Sequence, residues 1–281
     1  MTQDSGLETN DSGLKTQGSR LETEGSRLKI IAAIPCFNEQ QFIGDVVSKA
    51  KKYVDQVIVI DDGSHDGTAE AARAAGALVI RHEANKGAGA ATRSCFGAAK
   101  ANGGDIVITL DGDNQHAPSE IPVLLAPILK SEADLIIGSR FLQPTKSTQQ
   151  TQSTQQTQQT VMPKYRKFGI DVITFLYNFG SKTKVSDAQS CFRAHSRRLL
   201  DALTITENGF GFSVQVLMQA REKGFVIKEV PISCFYHPEG STINPVHHGL
   251  SVALTVVKLR FKNLLRKLVR GKKLSLAVFK L

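Results

Sequence analysis

Short apolar runs that alternate with helix-like segments constrain the fold of this chain more than any other feature of its sequence. The runs occupy residues 29–34, 56–60, 77–80, 105–110 and 134–137, and the helix-like segments lie near 39–52, 66–75, 88–101 and 118–130. The runs are rich in Ile and Val and do not alternate with polar residues, which is typical of strands buried on both faces. They predict an α/β domain with a mainly parallel central sheet and helices on both faces.

The charge of the chain is concentrated at its C-terminal end. The 281 residues carry a net charge of +9, and nine Lys and Arg side chains but no Asp or Glu follow Gly240, so residues 1–239 are neutral overall. A neutral body with one basic end favours contact with an anionic surface over a nucleic-acid partner. Residues 246–281 predict a basic amphipathic helix that lies on a membrane surface, since its apolar runs are too short to cross a bilayer. A helix that packs back on the domain is the alternative.

On a helical wheel, the large apolar side chains of the predicted helix fall in one arc. Its members are Leu254, Val257, Phe261, Leu264, Leu265 and Leu268. The cations occupy much of the other side, as expected for a helix at a lipid interface.

The remaining composition defines the domain boundaries. Residues 1–28 contain a seven-residue repeat with a single Leu per unit, which predicts a disordered tail, and residues 147–160 contain only Ser, Thr and Gln, which predicts a loop insertion. Residues 29–245 are therefore the predicted folded domain. The four cysteines are far apart and form no metal or disulfide pattern. The chain does not start with a signal-peptide pattern, so we expect a cytoplasmic protein.

Carboxylates directly follow two of the predicted strands. Asp61 and Asp62 follow the second run, and Asp111 and Asp113 flank a glycine after the fourth. In a parallel sheet, ligands bind beyond the carboxyl ends of the strands. Two carboxylates on one side of a strand end suit Mg²⁺ or Mn²⁺ bridging a diphosphate, whereas a plain Asp–Gly turn is the alternative for Asp111 and Asp113.

The other strand ends carry groups that suit an anion or a helix start. Lys86 and Gly87 open a helix after the third run, where small residues let backbone N–H groups approach a phosphate. The glycine spacing there does not match a dinucleotide fingerprint. Arg140 follows the fifth run and is a candidate phosphate clamp. Asn38 and Glu39 follow the first run, and taken alone they favour a turn and a helix cap over a binding role.

Taken in order, these motifs resemble those of family 2 glycosyltransferases, more narrowly the polyprenyl-phosphate hexosyltransferases that include dolichyl-phosphate mannose and glucose synthases. The matching elements are PCFNE at 35–39, DDGSHDGT at 61–68, NKGAGAA at 85–91, DGDNQ at 111–115, GSR at 138–140, MPKYRKFG at 162–169 and DAQSCFRA at 187–194. The resemblance extends over about residues 29–260. The resemblance implies a GT-A fold that binds a nucleotide-sugar together with Mg²⁺ or Mn²⁺.

The resemblance also implies roles for individual positions. The expected nucleotide-sugar site comprises Pro35, Asn38, Glu39, Asp61, Asp62, Lys86, Gly87, Asp111 and Gln115. The expected metal ligands are Asp111, Asp113 and Gln115. The expected catalytic residues are Asp113, Arg140 and Arg166, of which the two arginines would face the acceptor phosphate and the leaving diphosphate. The sugar and the acceptor would be bordered by Asp187, Gln189, Ser190, His237 and Ser241.

Three positions depart from the pattern of the family. Cys191 stands where relatives usually have Gly, and His237 stands near the acceptor where relatives often have Arg. A histidine holds a phosphate by charge only when it is protonated. Gln215 stands where many relatives have Glu, so it is not assigned the role of a catalytic base.

The favoured function is transfer of a hexose, with inversion, from a GDP- or UDP-sugar to a polyprenyl phosphate at the cytoplasmic face of a membrane. One alternative is a soluble family 2 enzyme with a glycan, protein or small-molecule acceptor. Another is a sugar-nucleotide-binding or scaffolding protein without turnover, suggested by the three departures. A nucleotidyltransferase is disfavoured, because it would carry a Gly-rich basic loop after the first strand, where this chain has residues 35–39.

Overall fold

Residues 27–143, 162–181, 183–235 and 252–261 are described by a computed structural model. The strands are β1 (Ile30–Cys36), β2 (Gln56–Asp61), β3 (Leu78–Arg81), β4 (Ile106–Thr109), β5 (Leu135–Ser139), β6 (Arg193–Ser196) and β7 (Ile227–Pro231). The helices are α1 (Ile43–Ala50), α2 (Thr68–Ala74), α3 (Ala88–Ala101), α4 (Ile121–Leu129), α5 (Lys164–Asn178), α6 (Arg197–Ala202), α7 (Phe212–Glu222) and α8 (252–261). A short 3₁₀ turn, Pro118–Glu120, precedes α4.

The strands form one seven-stranded sheet in the order β3-β2-β1-β4-β6-β5-β7. Every neighbouring pair is parallel except the two that involve β6, which runs antiparallel to β4 and β5. The predicted α/β class and mainly parallel sheet are confirmed. The five predicted strands are β1 to β5, with ends displaced by one or two residues.

Each face of the sheet is covered by its own hydrophobic cluster. Along β1, Ile31 and Ala33 point into one cluster, whereas Ala32 and Ile34 point into the other. Helices α3, α5, α6, α7 and α8 contribute to the first cluster, and α1, α2 and α4 contribute to the second. Because both faces of the central strands β1, β2 and β4 are buried, these strands consist almost entirely of apolar residues.

Several predictions from the sequence lie wholly or partly outside the described residues. These are the repeat tail before residue 27, the Ser/Thr/Gln-rich stretch 147–160, and the basic stretch 246–281 apart from α8. They stay predictions. Within the described residues, no helix combines the length and apolar character needed to cross a bilayer.

The central position of β4 predicts a large loss of stability when its core side chain is shortened. Ile108 is fully buried on β4, so Ile108→Ala should lower the free energy of unfolding by about 2–5 kcal/mol. Leu129→Ala, at the exposed end of α4, should stay within about 0.5 kcal/mol. Urea denaturation of both variants measures the difference, and equal effects would contradict the assigned core.

Candidate active site

Three carboxylates converge where β1 and the neighbouring β4 end. The pKa of Glu39 is raised to about 7 by burial and by the charges of Asp113 and Asp111. The pKa of Asp111 is raised to about 7 by burial and by Asp113, although the Arg140 charge and the Cys191 thiol act in the opposite direction. Glu39, Asp111 and Asp113 therefore lie within electrostatic reach of one another, whereas the sequence predicts a convergence of Asp62 with Asp111 and Asp113.

The loop after β4 is shaped so that its acids stay at the strand end. A Cβ atom at Gly112 would collide with Sγ of the buried Cys36, so any larger residue between Asp111 and Asp113 would displace that side chain. Asn114 adopts a left-handed backbone with φ of 58°, a conformation that Asn tolerates better than most residues. The Gln115 N–H then donates to Oδ1 of Asp113 over 3.0 Å. Gln115 itself is nearly buried beside the acids.

His116 adds no positive charge to this cluster at neutral pH. Its Nδ1 lies 3.7 Å from Oδ2 of Asp111. Burial and the charge of Arg140 lower the pKa of His116 to about 3. The neutral ring packs against the ring of Phe192 at a centroid distance of 5.3 Å. The acids consequently keep their mutual repulsion.

Arg140 and Asp187 form a two-pronged ion pair at the end of β5. Nε of Arg140 donates to Oδ2 of Asp187 over 2.7 Å, and Nη2 donates to Oδ1 over 2.8 Å. Burial alone would raise the pKa of Asp187, but the pair and the surrounding N–H groups lower it below its ordinary value. The sequence analysis placed the two residues against different parts of the substrate, whereas the structure joins them. Arg140 is thereby held rigidly within electrostatic reach of Asp111.

Glu229 on β7 holds the segment that carries Asp187, and the sequence analysis missed it. Its carboxylate accepts hydrogen bonds from the N–H groups of Ser186 and Asp187 over 2.7 and 3.1 Å, and from Oγ of Ser186 over 3.1 Å. Oδ1 of Asp187 in turn accepts from the N–H groups of Gln189 and Ser190. The available signal was an acid in a short run that also contains Ile227 and Val230 and ends at Pro231.

Asp61 and Asp62 have separate partners and are not part of the three-acid cluster. Asp62 accepts hydrogen bonds from the N–H groups of Lys86 and Gly87 over 3.0 and 2.8 Å, and its Oδ1 lies 2.6 Å from Nδ1 of His82. Asp61 accepts from the Ser64 N–H over 2.9 Å. It also pairs with Nε of Arg81 at 3.3 Å.

These contacts bear on the interpretation of the glycine-rich loop. The N–H groups of Gly89 and Ala90, at the start of α3, donate to the carbonyl oxygen of Asn208. Those of Lys86 and Gly87 donate to Asp62. These loop amides thus have hydrogen-bond partners within the protein, and the expectation that they approach a phosphate stays a prediction. The assignment of Lys86 and Gly87 to the nucleotide-sugar site stays a prediction.

Asn38 connects two loops and does not cap a helix. The N–H of Asn38 donates to Oγ of Ser64, and its own Oδ1 accepts from the His65 N–H, both over 2.9 Å. The Glu39 N–H donates to Oγ1 of Thr68 over 2.8 Å. Helix α1 begins four residues later without a side-chain cap. The loops after β1 and β2 therefore form one wall beside the carboxylates.

The other predicted site residues fall into three groups. Pro35 and Cys191 line a narrow pocket with Asp111, and burial raises the pKa of the Cys191 thiol. Ser190 is buried and Gln189 half-buried next to Asp187, while Arg166 lies in the first turn of α5. His237 and Ser241 lie outside the described residues.

Gln215 is a structural residue. Its Oε1 accepts hydrogen bonds from the N–H groups of Thr206 and Glu207, and its Nε2 donates to Oγ1 of Thr206 over 2.7 Å. The side chain is buried at 5% exposure. These contacts agree with leaving Gln215 without a base role.

The carboxylates of this site suit a cation that is also bound by substrate phosphates. They do not form a complete set of protein ligands. Among the described residues, no three His, Cys, Asp or Glu side chains are arranged to hold a metal ion by themselves. Asp111 and Asp113 provide two carboxylates, and Mg²⁺ is commonly held by one or two carboxylates plus substrate phosphates. The raised pKa values of Asp111 and Glu39 indicate an excess of negative charge that such a cation would relieve.

Comparison with known proteins identifies the family. The model described as "Glycosyl transferase family 2" matches residues 31–204, which is more than half of the chain. The chain belongs to this family. Several of its relatives are named as glycosyltransferases, and this protein is a glycosyltransferase. The resemblance inferred from the motifs is confirmed.

Two relatives and one solved structure illustrate the similarity. A UDP-N-acetylglucosamine–dolichyl-phosphate N-acetylglucosaminyltransferase of Methanococcus voltae is 30% identical over 227 residues, or 74% of this chain and 86% of the relative. A dolichyl-phosphate hexose transferase of Haloferax volcanii is 29% identical over 232 residues, or 82% and 93%. Glucosyl-3-phosphoglycerate synthase of Mycobacterium tuberculosis, crystallised with Mn²⁺ and UDP, superposes with a TM-score of 0.64 at 22% identity over 82% of this chain and 79% of that one. The GT-A fold is confirmed.

The buried ion pair predicts a strong effect on stability. Asp187→Asn leaves Arg140 without its charged partner, which should lower the free energy of unfolding by about 3–5 kcal/mol. Asp201→Asn is the matched control, because Asp201 pairs with Arg197 at the surface, and its loss should cost less than about 1 kcal/mol. Urea denaturation measures the free energy of unfolding of both variants. Equally small losses in the two would contradict the claim that the buried pair stabilises the fold.

The carboxylate cluster predicts a pH dependence that Asp113 controls. The pKa values of Glu39 and Asp111 rise from ordinary values of 4.5 and 3.8 to about 7, so the folded state holds more protons than the unfolded state in this interval. Without divalent metal, these two groups should lower the free energy of unfolding as the pH rises from about 4.5 to about 7. Asp113→Asn removes a charge that raises both pKa values and should weaken this decrease.

Urea denaturation across this pH range measures the effect as the difference between variant and wild type, in which the histidine contributions cancel. Asp45→Asn serves as the control, because Asp45 pairs with Lys49 at the surface. Its curve should run parallel to that of the wild type. A parallel curve for Asp113→Asn would contradict the clustering of the three acids.

Proposed function

We propose that this glycosyltransferase transfers a hexose from a GDP- or UDP-sugar to a polyprenyl phosphate at a membrane surface, with inversion at the anomeric carbon. The observation that carries the proposal is the convergence of Glu39, Asp111 and Asp113 beside the rigidly held Arg140: besides burial, the charge of Asp113 raises the pKa of Asp111, and the charges of both raise the pKa of Glu39. Relatives named as dolichyl-phosphate sugar transferases support the lipid acceptor.

A divalent cation, Mg²⁺ or Mn²⁺, fits the carboxylates of this site. Asp111 and Asp113 would hold it, with Gln115 as the third candidate ligand and the remaining positions left to phosphate oxygens and water. When bound, such a cation would stabilise the negative charge that develops on the departing diphosphate. The crystals of the mycobacterial enzyme with Mn²⁺ and UDP support this class of cofactor.

The acceptor in this proposal needs no base from the protein. A phosphate monoester has a second pKa near ~6, so it is largely dianionic at neutral pH and already nucleophilic. The protein has to overcome the repulsion between two anions and align them. Arg140, kept in place by Asp187, supplies a fixed positive charge, and Arg166 at the start of α5 would supply a second one.

Direct attack by the acceptor phosphate predicts inversion. The phosphate oxygen would approach the anomeric carbon on the face opposite the leaving diphosphate, so that a single displacement exchanges the two groups. Asp187, Gln189 and Ser190 would border the sugar, and His237 and Ser241 would contact the acceptor. Glu39, Asp61 and Asp62 would lie on the nucleoside side, with Pro35 and Asn38.

The proposed location is the cytoplasmic face of a membrane, with the protein bound peripherally. The basic stretch 246–281 supports this, because it has nine cations and no acid and would be attracted to anionic lipids. The soluble alternative differs in one measurable respect: it would transfer sugar without lipid.

A donor and acceptor panel tests the function. GDP-mannose, UDP-glucose and UDP-N-acetylglucosamine are offered with and without polyprenyl phosphate, and with Mg²⁺, Mn²⁺ or a chelator. We expect a lipid-linked sugar product only when lipid phosphate and metal are both present. Product in the lipid-free reactions would favour the soluble alternative.

Asp113 provides the matching mutational test. Asp113→Ala should reduce turnover by at least about 10²-fold, the order expected when a group that stabilises transition-state charge is lost. Asp45→Ala, at an exposed site on α1, should leave turnover unchanged. Substantial activity of Asp113→Ala in the presence of metal would contradict the role of this residue.

A further inference from the structure

Helix α5 exposes a continuous stripe of large apolar side chains. The stripe comprises Tyr165, Phe168, Val172, Phe175 and, directly after the helix, Phe179. Their alternating spacing of three and four residues places them on one face of a helix. Exposure of these side chains ranges from 37% to 70%. The helix buries Ile173, Thr174 and Tyr177 on a different face, so the stripe is not the side by which α5 packs on the domain.

Helix α8 lies against the end of this stripe and extends it. The Arg260 guanidinium donates to the carbonyl oxygens of Tyr177 and Phe179 and lies 5.6 Å from the centroid of the Phe179 ring. Helix α8 buries Val252 and Val256 in the core. Its other side exposes Leu254, Val257 and Phe261. We call the stripe on α5 together with these three side chains the apolar face.

The described part of the predicted C-terminal helix has one buried side and one exposed apolar side. One side of α8 packs on the domain, as the alternative stated. The described members of the predicted apolar arc, Leu254, Val257 and Phe261, nevertheless face solvent. An exposed apolar surface of this extent on a folded domain marks an interaction site.

Helix α5 separates the apolar face from the candidate active site by one helix thickness. On its inner side, Oγ1 of Thr174 accepts a hydrogen bond from the Ala188 N–H, next to Asp187. At its N-terminal end, Nζ of Lys167 lies 5.2 Å from the centroid of the Phe141 ring, and the same ring lies 5.8 Å from the Arg140 guanidinium carbon. A phosphate at the level of the α5 N-terminus would thus be close to Arg140.

The charges around the apolar face decide between two occupants. Lys164 and Lys167 lie at one end of the stripe on α5, and Lys258 lies on α8; all three are exposed. Lys167 pairs with Asp171 and Lys258 with Glu207, so the net positive charge comes from Lys164 and from the sequence after α8, which has seven Lys and Arg and no acid. A second copy of the chain would bring the same cations against these ones and be repelled. An anionic lipid surface would be attracted. The three-four spacing also occurs in coiled-coil seams, so pairing with a second copy is an outcome that the test must exclude.

We propose that the apolar face docks into the interfacial layer of an anionic membrane, with the aromatic side chains of α5 inserted and the neighbouring lysines at the level of the headgroups. The lipid acceptor of this inference rests on the proposed function, whereas docking itself can be measured without turnover. Docking would place the N-terminal end of α5, with Arg166 and Lys167, at the level of the headgroups, where the phosphate of a polyprenyl phosphate lies. The C-terminal stretch then adds attraction, but α5 sets the orientation.

A tryptophan reporter tests insertion with little disturbance of the fold. The chain has no Trp, so Phe168→Trp introduces a single probe in the stripe, and Leu129→Trp introduces one at an exposed position on α4. With vesicles of phosphatidylcholine and phosphatidylglycerol, the emission of the Phe168→Trp protein should shift to shorter wavelength and be quenched by brominated acyl chains. The Leu129→Trp protein should show neither effect. Equal responses of the two proteins, or no response of either, would overturn the proposal.

Polar substitutions test the energetics of the same face. Phe168→Ser with Phe175→Ser should weaken vesicle binding by roughly tenfold per phenylalanine, the order expected if about half of each side chain's transfer free energy is lost. Leu129→Ser should bind as the wild type does. Thermal denaturation verifies that both proteins are folded. Wild-type affinity of the double variant would overturn the proposal.

Two further measurements distinguish membrane docking from self-association and from failure of the proposed function. If sedimentation without lipid shows a wild-type dimer that the double variant does not form, the apolar face pairs with a second copy and the proposal is wrong. The double variant should still transfer sugar when the polyprenyl phosphate is dissolved in detergent. It should lose this activity when the polyprenyl phosphate is embedded in vesicles. No transfer by the wild type in either setting, with vesicle binding intact, would reject the proposed function and leave the docking surface standing.

Discussion

Mutual repulsion among Glu39, Asp111 and Asp113 is the constraint on which the rest of the site depends. Each of the first two acids has its pKa raised to about 7, with burial as the largest cause and the neighbouring carboxylates as the next. Folding tolerates such a cluster because the strands beneath it are buried apolar residues on both faces. A cation bound together with the nucleotide-sugar would reduce this repulsion, so binding of the metal and binding of the donor should favour each other.

The positive charge of the site is fixed by a chain of contacts that starts at the sheet edge. Glu229 on β7 holds the backbone of Ser186 and Asp187, and Asp187 holds Arg140. An arginine oriented in this way needs little reorganisation when charge develops nearby. The antiparallel strand β6 makes the arrangement possible, because it brings residues 187–192 back to the end of the sheet where β4 and β5 finish.

Much of this organisation could be predicted from the sequence, and the exceptions have physical reasons. Strands β1 to β5 were recognisable as nearly continuous apolar runs. Because parallel strands end at the same edge of a sheet, the acids that follow them could be placed at that edge. Strand β6 was missed because it contains Arg193 and His195, whose burial depends on partners from other elements, such as the Ser213 carbonyl oxygen for Arg193. The hydrogen bonds of Asp62 to the glycine-rich loop and the role of Glu229 also depend on tertiary contacts. The spacing on α5 predicts an apolar face but does not indicate whether protein covers it.

Equilibrium binding of a nucleoside diphosphate, with and without metal, tests the central claim most directly. Isothermal titration of GDP and UDP into wild-type protein should give much tighter binding with Mn²⁺ than with a chelator, for at least one of the two nucleotides. In the Asp111→Asn protein, adding Mn²⁺ should change the affinity little. Binding of equal strength with and without metal, or a metal effect that persists in Asp111→Asn, would contradict the account.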